Sequence, residues 1–241
     1  MFEGTLIEVA KTKDLSPEEF TLLRRDYLGA SDSSVILGVN PFSHISDLKQ
    51  QKLSTKITAE ERAIGRKVNV RKGSDLEPLI LQKFIDKHDI EIIKPDAMYS
   101  IEGYPYMAVN FDGVGKTPEG RFFPVEAKFV SAYGGKHWDE DLDVEASKLV
   151  YMREMSKDIQ SHIKQISKLY GMPPYYYTQL QYQIFALDAE FGYIAALFDK
   201  TWELNTYFVK RDPTTIVAMM AKYYHFYEEV QREKRNQADK V

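Results

Sequence analysis

The sequence predicts a mixed α/β domain with a central β-sheet, and two observations indicate this class. Segments with helical periodicity occupy the first third of the chain, and a cluster of segments with period-two alternation follows between residues 91 and 130. Another helical stretch, a pair of strands and a final helix complete the 241 residues. Because helices and strands are interleaved in this way, we expect the strands to share a sheet that the helices cover.

Composition restricts the class of protein further. No repeat or Gly/Ser linker appears, so we interpret residues 1–241 as a single domain. The chain has no Cys, which excludes disulfides, thiolate metal sites and a cysteine nucleophile. It has no run of eighteen apolar residues and no signal-peptide pattern at its start, so we expect no membrane span. A formal net charge of -4 argues mildly against a nonspecific nucleic-acid coat protein.

The element boundaries follow from capping and turn signals. Helices are predicted over 16–27, in a short segment capped by Ser31 and ending at Gly38, and over 73–87, 155–170, 175–187 and from 213 onward, the last becoming polar after Val230. Strands are predicted over 91–94, 97–101, 104–110, 121–130, 191–198 and 202–209. Asp112-Gly113 and the stretch 118–120 are predicted to form turns.

Asp112, Glu126 and Lys128 are the strongest candidates for chemistry. Glu126 and Lys128 share one face of their strand because side chains alternate, and Asp112 follows the preceding strand, so it can meet them across a hairpin. Two neighbouring carboxylates repel each other unless a cation lies between them, and Mg²⁺ prefers such oxygen ligands. The lysine could then orient a metal-bound water. The alternative is a solvated hairpin with a cross-strand salt bridge.

Glu77 is a further candidate because it shares the 73–87 helix with apolar residues. It lies in register with Leu81 and Phe84, so its carboxylate would face the core unless it reaches solvent at the edge of the helix. Gln179 and Gln183 lie four residues apart and present two amides on one helix face. Such glutamines are usually surface residues.

Ser31 and the arginines upstream of it form a candidate anion site. Ser31 caps a short helix whose first amides are available to an anion, and Arg24 and Arg25 lie one or two turns upstream. A guanidinium beside a helix start favours a phosphate group, although most serine caps have no ligand.

In this order along the chain, the motifs resemble the lambda-type exonuclease (YqaJ-like viral recombinase) branch of the PD-(D/E)xK nucleases. They are Arg-x-x-x-x-Gly-Ala-Ser-Asp at 24–32, Gly-x-x-x-Glu at 73–77, Asn-Phe-Asp-Gly at 110–113, Val-Glu-Ala-Lys at 125–128 and Tyr-Tyr-Thr-Gln-Leu-Gln-Tyr at 176–182. The resemblance extends from about Arg24 to Phe198, which is most of the chain. It implies a restriction-endonuclease-like core, in which a central mixed sheet is flanked by helices.

The resemblance also implies a role for each candidate residue. Asp112, Glu126 and the backbone carbonyl of Ala127 would hold Mg²⁺, or Mn²⁺ as a substitute, and Glu77 would complete the site or hold a second ion. Lys128 would position the attacking water, Gln179 would lie beside the catalytic centre, and Arg24 and Ser31 would bind the 5′-phosphate of a DNA end.

A protein of this kind would degrade the 5′-ended strand of double-stranded DNA and leave a 3′ tail for a single-strand annealing protein. The resemblance implies a homo-oligomer, a trimer in several family members, in the cytoplasm of a bacterial or phage-infected cell. Two alternatives are a structure- or site-specific endonuclease on the same core and a catalytically inactive protein that binds DNA ends.

The sequence departs from the family pattern at three points. Phe111 stands where the family often has Pro before the metal-binding Asp. The run from 138 to 172 resembles a helical insertion and contains an acidic loop at 139–145, which could cover the DNA channel or bind a partner. The alignment also leaves either Arg24 or Arg25 as the phosphate ligand.

Overall fold

A computed structural model describes residues 5–65, 68–138 and 158–239 of the chain. The strands are β1 (Leu6–Lys11), β2 (Ile92–Ile93), β3 (Ala97–Ile101), β4 (Tyr104–Val109), β5 (Gly113–Lys116), β6 (Phe122–Val130), β7 (Phe191–Phe198) and β8 (Leu204–Lys210). The helices are α1 (Pro17–Leu23), α2 (Ser33–Ile36), α3 (Ile45–Leu53), α4 (Ala59–Gly65), α5 (Val68–His88), α6 (Ile159–Leu169), α7 (Pro174–Ala186) and α8 (Pro213–Ala238).

The strands form a five-stranded sheet in the order β2-β5-β6-β7-β8 and a three-stranded sheet in the order β1-β3-β4. The larger sheet is mixed, because β6 and β7 run parallel while its other neighbours are antiparallel. Parallel strands need a long crossover connection, and α6 and α7 lie within it. The predicted α/β class with a central mixed sheet is confirmed.

β6 and β7 form the middle of the larger sheet, and their side chains are largely buried. Val125 to Val130 pair in register with Tyr193 to Phe198, and Ile194 and Leu197 of β7 have no solvent exposure. Strands covered on both faces have continuous apolar sequences, as β7 does. Any polar side chain on β6 therefore projects from a rigid support.

Two predicted boundaries are wrong near the proposed site. The helix predicted to begin at Gly73 begins at Val68 and passes through both Gly73 and Pro78. Gly73 resembles a helix start because its propensity is poor, but buried Ile80 and Phe84 further along α5 hold the helix against the sheet. Local propensity is overridden here by packing.

The turn predicted at Asp112-Gly113 is also wrong, because Gly113 begins β5. β5, and not the preceding β4, is the antiparallel partner of β6, with Gly115 opposite Phe123. A Cβ atom on Gly115 would lie 2.2 Å from the Phe123 ring, so only glycine allows this approach. The Gly-Val-Gly sequence conceals a strand from propensity rules. β1 was not predicted from the sequence.

Most other boundaries agree with the prediction to within a few residues. The predicted Ser31 cap is wrong, because Ser31 lies within a 3-10 turn over Ala30–Asp32 and α2 begins at Ser33. The helix predicted over 16–27 ends at Leu23 and continues as a 3-10 turn over Arg24–Asp26. Within the predicted 138–172 insertion, α6 is present, whereas residues 139–157, with the acidic loop, lie outside the described residues. No helix among residues 5–65, 68–138 and 158–239 is both long and apolar enough to cross a bilayer.

Asp212 joins α8 to the crossover helices through a buried hydrogen-bond network. Its carboxylate caps α8 by accepting from the backbone N–H groups of Thr214 and Thr215 at 3.0 and 3.2 Å. It also accepts from the Tyr177 hydroxyl at 2.8 Å and lies 2.8 Å from His162 Nε2. Burial raises the pKa of Asp212, but hydrogen bonds from Thr215, His162 and Tyr177 outweigh it, so the pKa is lowered.

We expect Asp212→Ala to lower the free energy of unfolding by about 3 kcal/mol, because it removes a helix cap and leaves buried Tyr177 and His162 without their acceptor. Asp158→Ala is the matched control, since Asp158 caps α6 by accepting from the backbone N–H and the hydroxyl of Ser161 and should cost about 1 kcal/mol. Urea denaturation measures both. Equal losses would show that the buried network contributes nothing beyond capping.

Candidate active site

All seven predicted site side chains line one cavity of about 600 Å³. They are Arg24, Ser31, Glu77, Asp112, Glu126, Lys128 and Gln179. Before folding they lie up to 155 positions apart, since the first is residue 24 and the last is residue 179. The structure therefore brings these seven side chains together in one cavity.

Glu126 and Asp112 form the acidic wall of this cavity. Glu126 lies on the buried central strand β6 and is 2% exposed. Asp112 lies just before β5, where its Oδ2 accepts a hydrogen bond of 2.9 Å from the backbone N–H of Ala127. Burial and the neighbouring Glu126 charge raise the pKa of Asp112 to about 8. Binding of a proton or a cation to this carboxyl group therefore stabilises the folded protein.

The backbone carbonyl of Ala127 faces the same side of β6 as Asp112. The β5–β6 pairing ends at Gly113 and Val125, so Ala127 lies two residues beyond it. In an extended strand the N–H and C=O of one residue point to the same edge, and the N–H of Ala127 bonds Asp112. This edge thus combines one backbone carbonyl with a carboxylate.

Lys128 carries the positive charge beside Glu126. Its ammonium donates to Glu126 Oε1 and lies 5.2 Å from the centroid of the Tyr176 ring. Burial lowers the pKa of Lys128, but the charges of Glu126 and Asp112 outweigh it and raise the pKa above its usual value. Lys128 is therefore protonated near neutral pH and acts as a hydrogen-bond donor.

Helix α7 supplies two further donors to Glu126. Gln179 Nε2 donates to Oε1 and Gln183 Nε2 donates to Oε2, which places the amides on one helix face as predicted. The expectation that such glutamines lie at the surface is wrong for Gln183, which is 2% exposed. The four-residue spacing of Gln179 and Gln183 was visible in the sequence, but their hydrogen-bond partner on β6, Glu126, was not.

Glu77 faces the cavity and is paired with a lysine that the sequence analysis missed. Its Oε2 accepts from Lys94 Nζ at 3.3 Å, with 28% of the Glu77 side chain exposed. Its charge contributes to the raised pKa of Asp112. Lys94 lies next to β2 with no motif to mark it.

The donor set fits a divalent cation bound mainly at one edge of β6. Asp112, Glu126 and the Ala127 carbonyl provide the oxygen atoms that Mg²⁺ prefers. Within the described ranges, no three Asp, Glu or His side chains are close enough together to form a complete metal cluster, and Glu77 is paired with Lys94. Two carboxylates with water and substrate oxygens match the usual environment of Mg²⁺, which keeps several water ligands.

Arg24 and Ser31 line the same cavity as Asp112 and Glu126. Arg24 Nη2 donates to Ser31 Oγ at 3.0 Å, and both side chains are exposed to the cavity. Arg25 points away, is 5% exposed, and binds Glu61 at 2.8 Å as well as two backbone carbonyls. The structure thus places Arg24, and not Arg25, at the candidate phosphate site.

Buried polar contacts hold residues 28–32, called here the Ser31 segment, in place. The Tyr182 hydroxyl lies within hydrogen-bond distance of the carbonyl oxygens of Leu28 and Ala108, at 2.8 and 2.9 Å, and the Tyr223 hydroxyl donates to the carbonyl of Gly29. Lys52 forms a buried ion pair of 2.8 Å with Asp32. α3, α7 and α8 therefore hold in place the part of the cavity lining that contains Ser31.

Comparison with known proteins agrees with this geometry. The YqaJ-like viral recombinase domain matches residues 19–190, which include all the predicted site residues. The chain belongs to this family. It is 26% identical over 133 residues to the uncharacterized protein YqaJ of Bacillus subtilis (strain 168), a match that covers 55% of the chain but only 40% of that relative.

Solved structures show the same fold at low sequence identity. An alkaline exonuclease, LHK-Exo from Laribacter hongkongensis, has a TM-score of 0.58 at 13% identity, covering 92% of this chain and 97% of that one. Its complex with dAMP gives a TM-score of 0.61 at 14% identity with the same coverage. A phage-related exonuclease from Haemophilus somnus 129PT gives 0.53 at 12% identity, covering 92% and 100%. The predicted restriction-endonuclease-like core is confirmed.

The raised pKa of Asp112 predicts a pH-dependent cost in the metal-free protein. A carboxyl group whose pKa rises from 3.8 to about 8 on folding binds more protons when folded, so stability falls as pH rises between these values. We expect Asp112→Asn in EDTA to be more stable than the unmodified chain by about 2 kcal/mol at pH 9, and by much less near pH 5. Denaturation at the two pH values measures this.

Asp86→Asn is the control for that experiment, because Asp86 is exposed on α5 and lies outside the cavity. A gain for Asp112→Asn that is the same at both pH values would contradict the electrostatic account.

Proposed function

We propose that this protein is a Mg²⁺-dependent exonuclease that degrades the 5′-ended strand of double-stranded DNA and leaves 3′ single-stranded tails. The observation that supports this most is the single cavity, whose lining includes both the exposed Arg24–Ser31 pair and the Asp112–Glu126–Lys128 group. A terminal phosphate bound by the first group would bring the adjoining backbone toward the second.

Asp112, Glu126 and the Ala127 carbonyl would hold the cation, and Glu77 would complete the site or hold a second ion once Lys94 turns to the substrate. Bound there, Mg²⁺ supplies charge neutralisation at the scissile phosphate and lowers the pKa of a water molecule. Mn²⁺ would substitute, because it prefers the same oxygen ligands.

The residues around the cation would orient the substrate and the attacking water. Lys128 carries a proton, so it would donate to the water or to a phosphate oxygen and would not accept the proton of the nucleophile. Gln179 bonds Glu126 and lines the cavity, so it would act beside the catalytic centre. Arg24 and Ser31 would bind the 5′-phosphate through donors on both side chains.

The other proposed properties rest on family membership. A 3′ tail is a substrate for a single-strand annealing protein, which we propose as the partner. We also propose a homo-oligomer, a trimer by family resemblance, in the cytoplasm of a bacterial or phage-infected cell. Exonuclease relatives in the solved structures support end-directed digestion over cleavage within a strand.

The first test is release of mononucleotides from linear duplex DNA with Mg²⁺. We expect Asp112→Asn and Lys128→Met each to reduce the rate by roughly a hundredfold or more, because one removes a metal ligand and the other the donor to the water. Asp86→Asn and Lys200→Met are matched controls at exposed positions outside the cavity.

Undiminished digestion by either site variant would contradict the assignment. Cutting of a closed circular duplex would favour an endonuclease, and absence of Mg²⁺-dependent cleavage by the unmodified chain would favour an inactive end-binding protein.

The phosphate site has its own test, which compares linear duplexes with 5′-phosphate and 5′-hydroxyl ends. We expect Arg24→Gln to reduce the preference for the phosphorylated end by about tenfold, because a charge-assisted bond is lost. Arg25→Gln should keep that preference and lower the melting temperature, since it breaks a buried ion pair. If the preference depended on Arg25 instead, the proposed orientation of the DNA end would be wrong.

A further inference from the structure

Gln183 has a hydrogen-bonding arrangement that core packing does not explain. Its side chain is 2% exposed and donates to Glu126 Oε2, while its own Oε1 has no hydrogen-bond partner among the described residues. The amide cannot be reversed, because its oxygen would then face a carboxylate oxygen. A buried unpaired acceptor costs free energy that an apolar side chain of the same size would avoid.

The two oxygens of Glu126 have different environments. Oε1 accepts from Lys128 and Gln179, and both of these residues line the cavity. Oε2 accepts from Gln183, which does not line the cavity. The donors to Oε1 thus lie beside the cavity, whereas the donor to Oε2 is a buried amide.

This arrangement bears on the choice of metal. Ca²⁺ accepts six to eight oxygen ligands and often takes both oxygens of a carboxylate, whereas Mg²⁺ requires an octahedral shell of short, single-oxygen bonds. A carboxylate whose second oxygen is occupied by a buried amide is suited to Mg²⁺. We propose that Gln183 is a positioning residue that makes Glu126 a one-oxygen ligand and so sets the preference of the site for Mg²⁺ over Ca²⁺. This inference rests on the proposed metal site.

The test titrates the melting temperature of the full chain with MgCl₂ and, separately, with CaCl₂, without DNA, and derives both dissociation constants. In Gln183→Met, which keeps the length of the side chain but has no donor, we expect Mg²⁺ affinity to fall about tenfold. Ca²⁺ affinity should fall less or rise, so the preference shifts toward Ca²⁺ by about fivefold or more. Gln183→Leu is a second variant if the first does not fold.

Gln181→Met is the matched control. Gln181 is a fully buried glutamine of the same helix, but its amide bonds the Lys210 carbonyl and the Asp212 N–H, away from Glu126. We expect a lower melting temperature without a change in the Mg²⁺ to Ca²⁺ affinity ratio. This separates loss of metal positioning from loss of a buried polar contact.

The possible outcomes distinguish this inference from the proposed function. If the unmodified chain binds both metals and Gln183→Met has the same affinity ratio, the role of Gln183 is overturned and the metal site remains. If the unmodified chain binds neither metal, the proposed metal site fails, and the role of Gln183 fails with it.

Discussion

The carboxylate of Glu126 is buried on the central strand of the sheet, and the surrounding side chains offset the unfavourable free energy of burying its charge. An unpaired carboxylate in such a place is very unfavourable. Here it receives N–H donors from Lys128, Gln179 and Gln183. Asp112 beside it has a pKa that is raised by burial and by the charge of Glu126. The negative charges of Asp112 and Glu126 are thus only partly neutralised by neighbouring donors. A pair of carboxylates in this condition binds a cation strongly.

Helix α7 connects this electrostatic arrangement to the fold. It lies in the crossover between β6 and β7, and parallel strands require such a connection. The same helix carries Gln179 and Gln183 toward Glu126 and Tyr182 toward the Ser31 segment. One buried helix therefore contacts both Glu126 and the segment that carries Ser31, so the acidic residues and the candidate phosphate site both depend on its packing.

Much of this site was predictable from the sequence, because its residues lie in motifs with strong local signals. The alternation of Glu126 and Lys128 on an apolar strand is an example, whereas Ser31 lies within a 3-10 turn and does not cap the helix that follows. What was missed depends on contacts between distant segments. Lys94 has no motif, Gln183 needed its partner on β6, and β5 is hidden because Gly115 is required by the Phe123 ring. Arg24 and Arg25 are adjacent arginines whose side chains point in different directions, and the sequence does not show which of them faces the cavity.

The central claim is that the incompletely compensated edge of β6 is a metal site. The most direct measurement is anomalous X-ray scattering from a crystal of the full chain soaked in Mn²⁺. The account predicts an anomalous peak bounded by Asp112, Glu126 and the carbonyl of Ala127. A crystal in which Mn²⁺ occupies other positions while this edge remains empty at saturating concentration would contradict it.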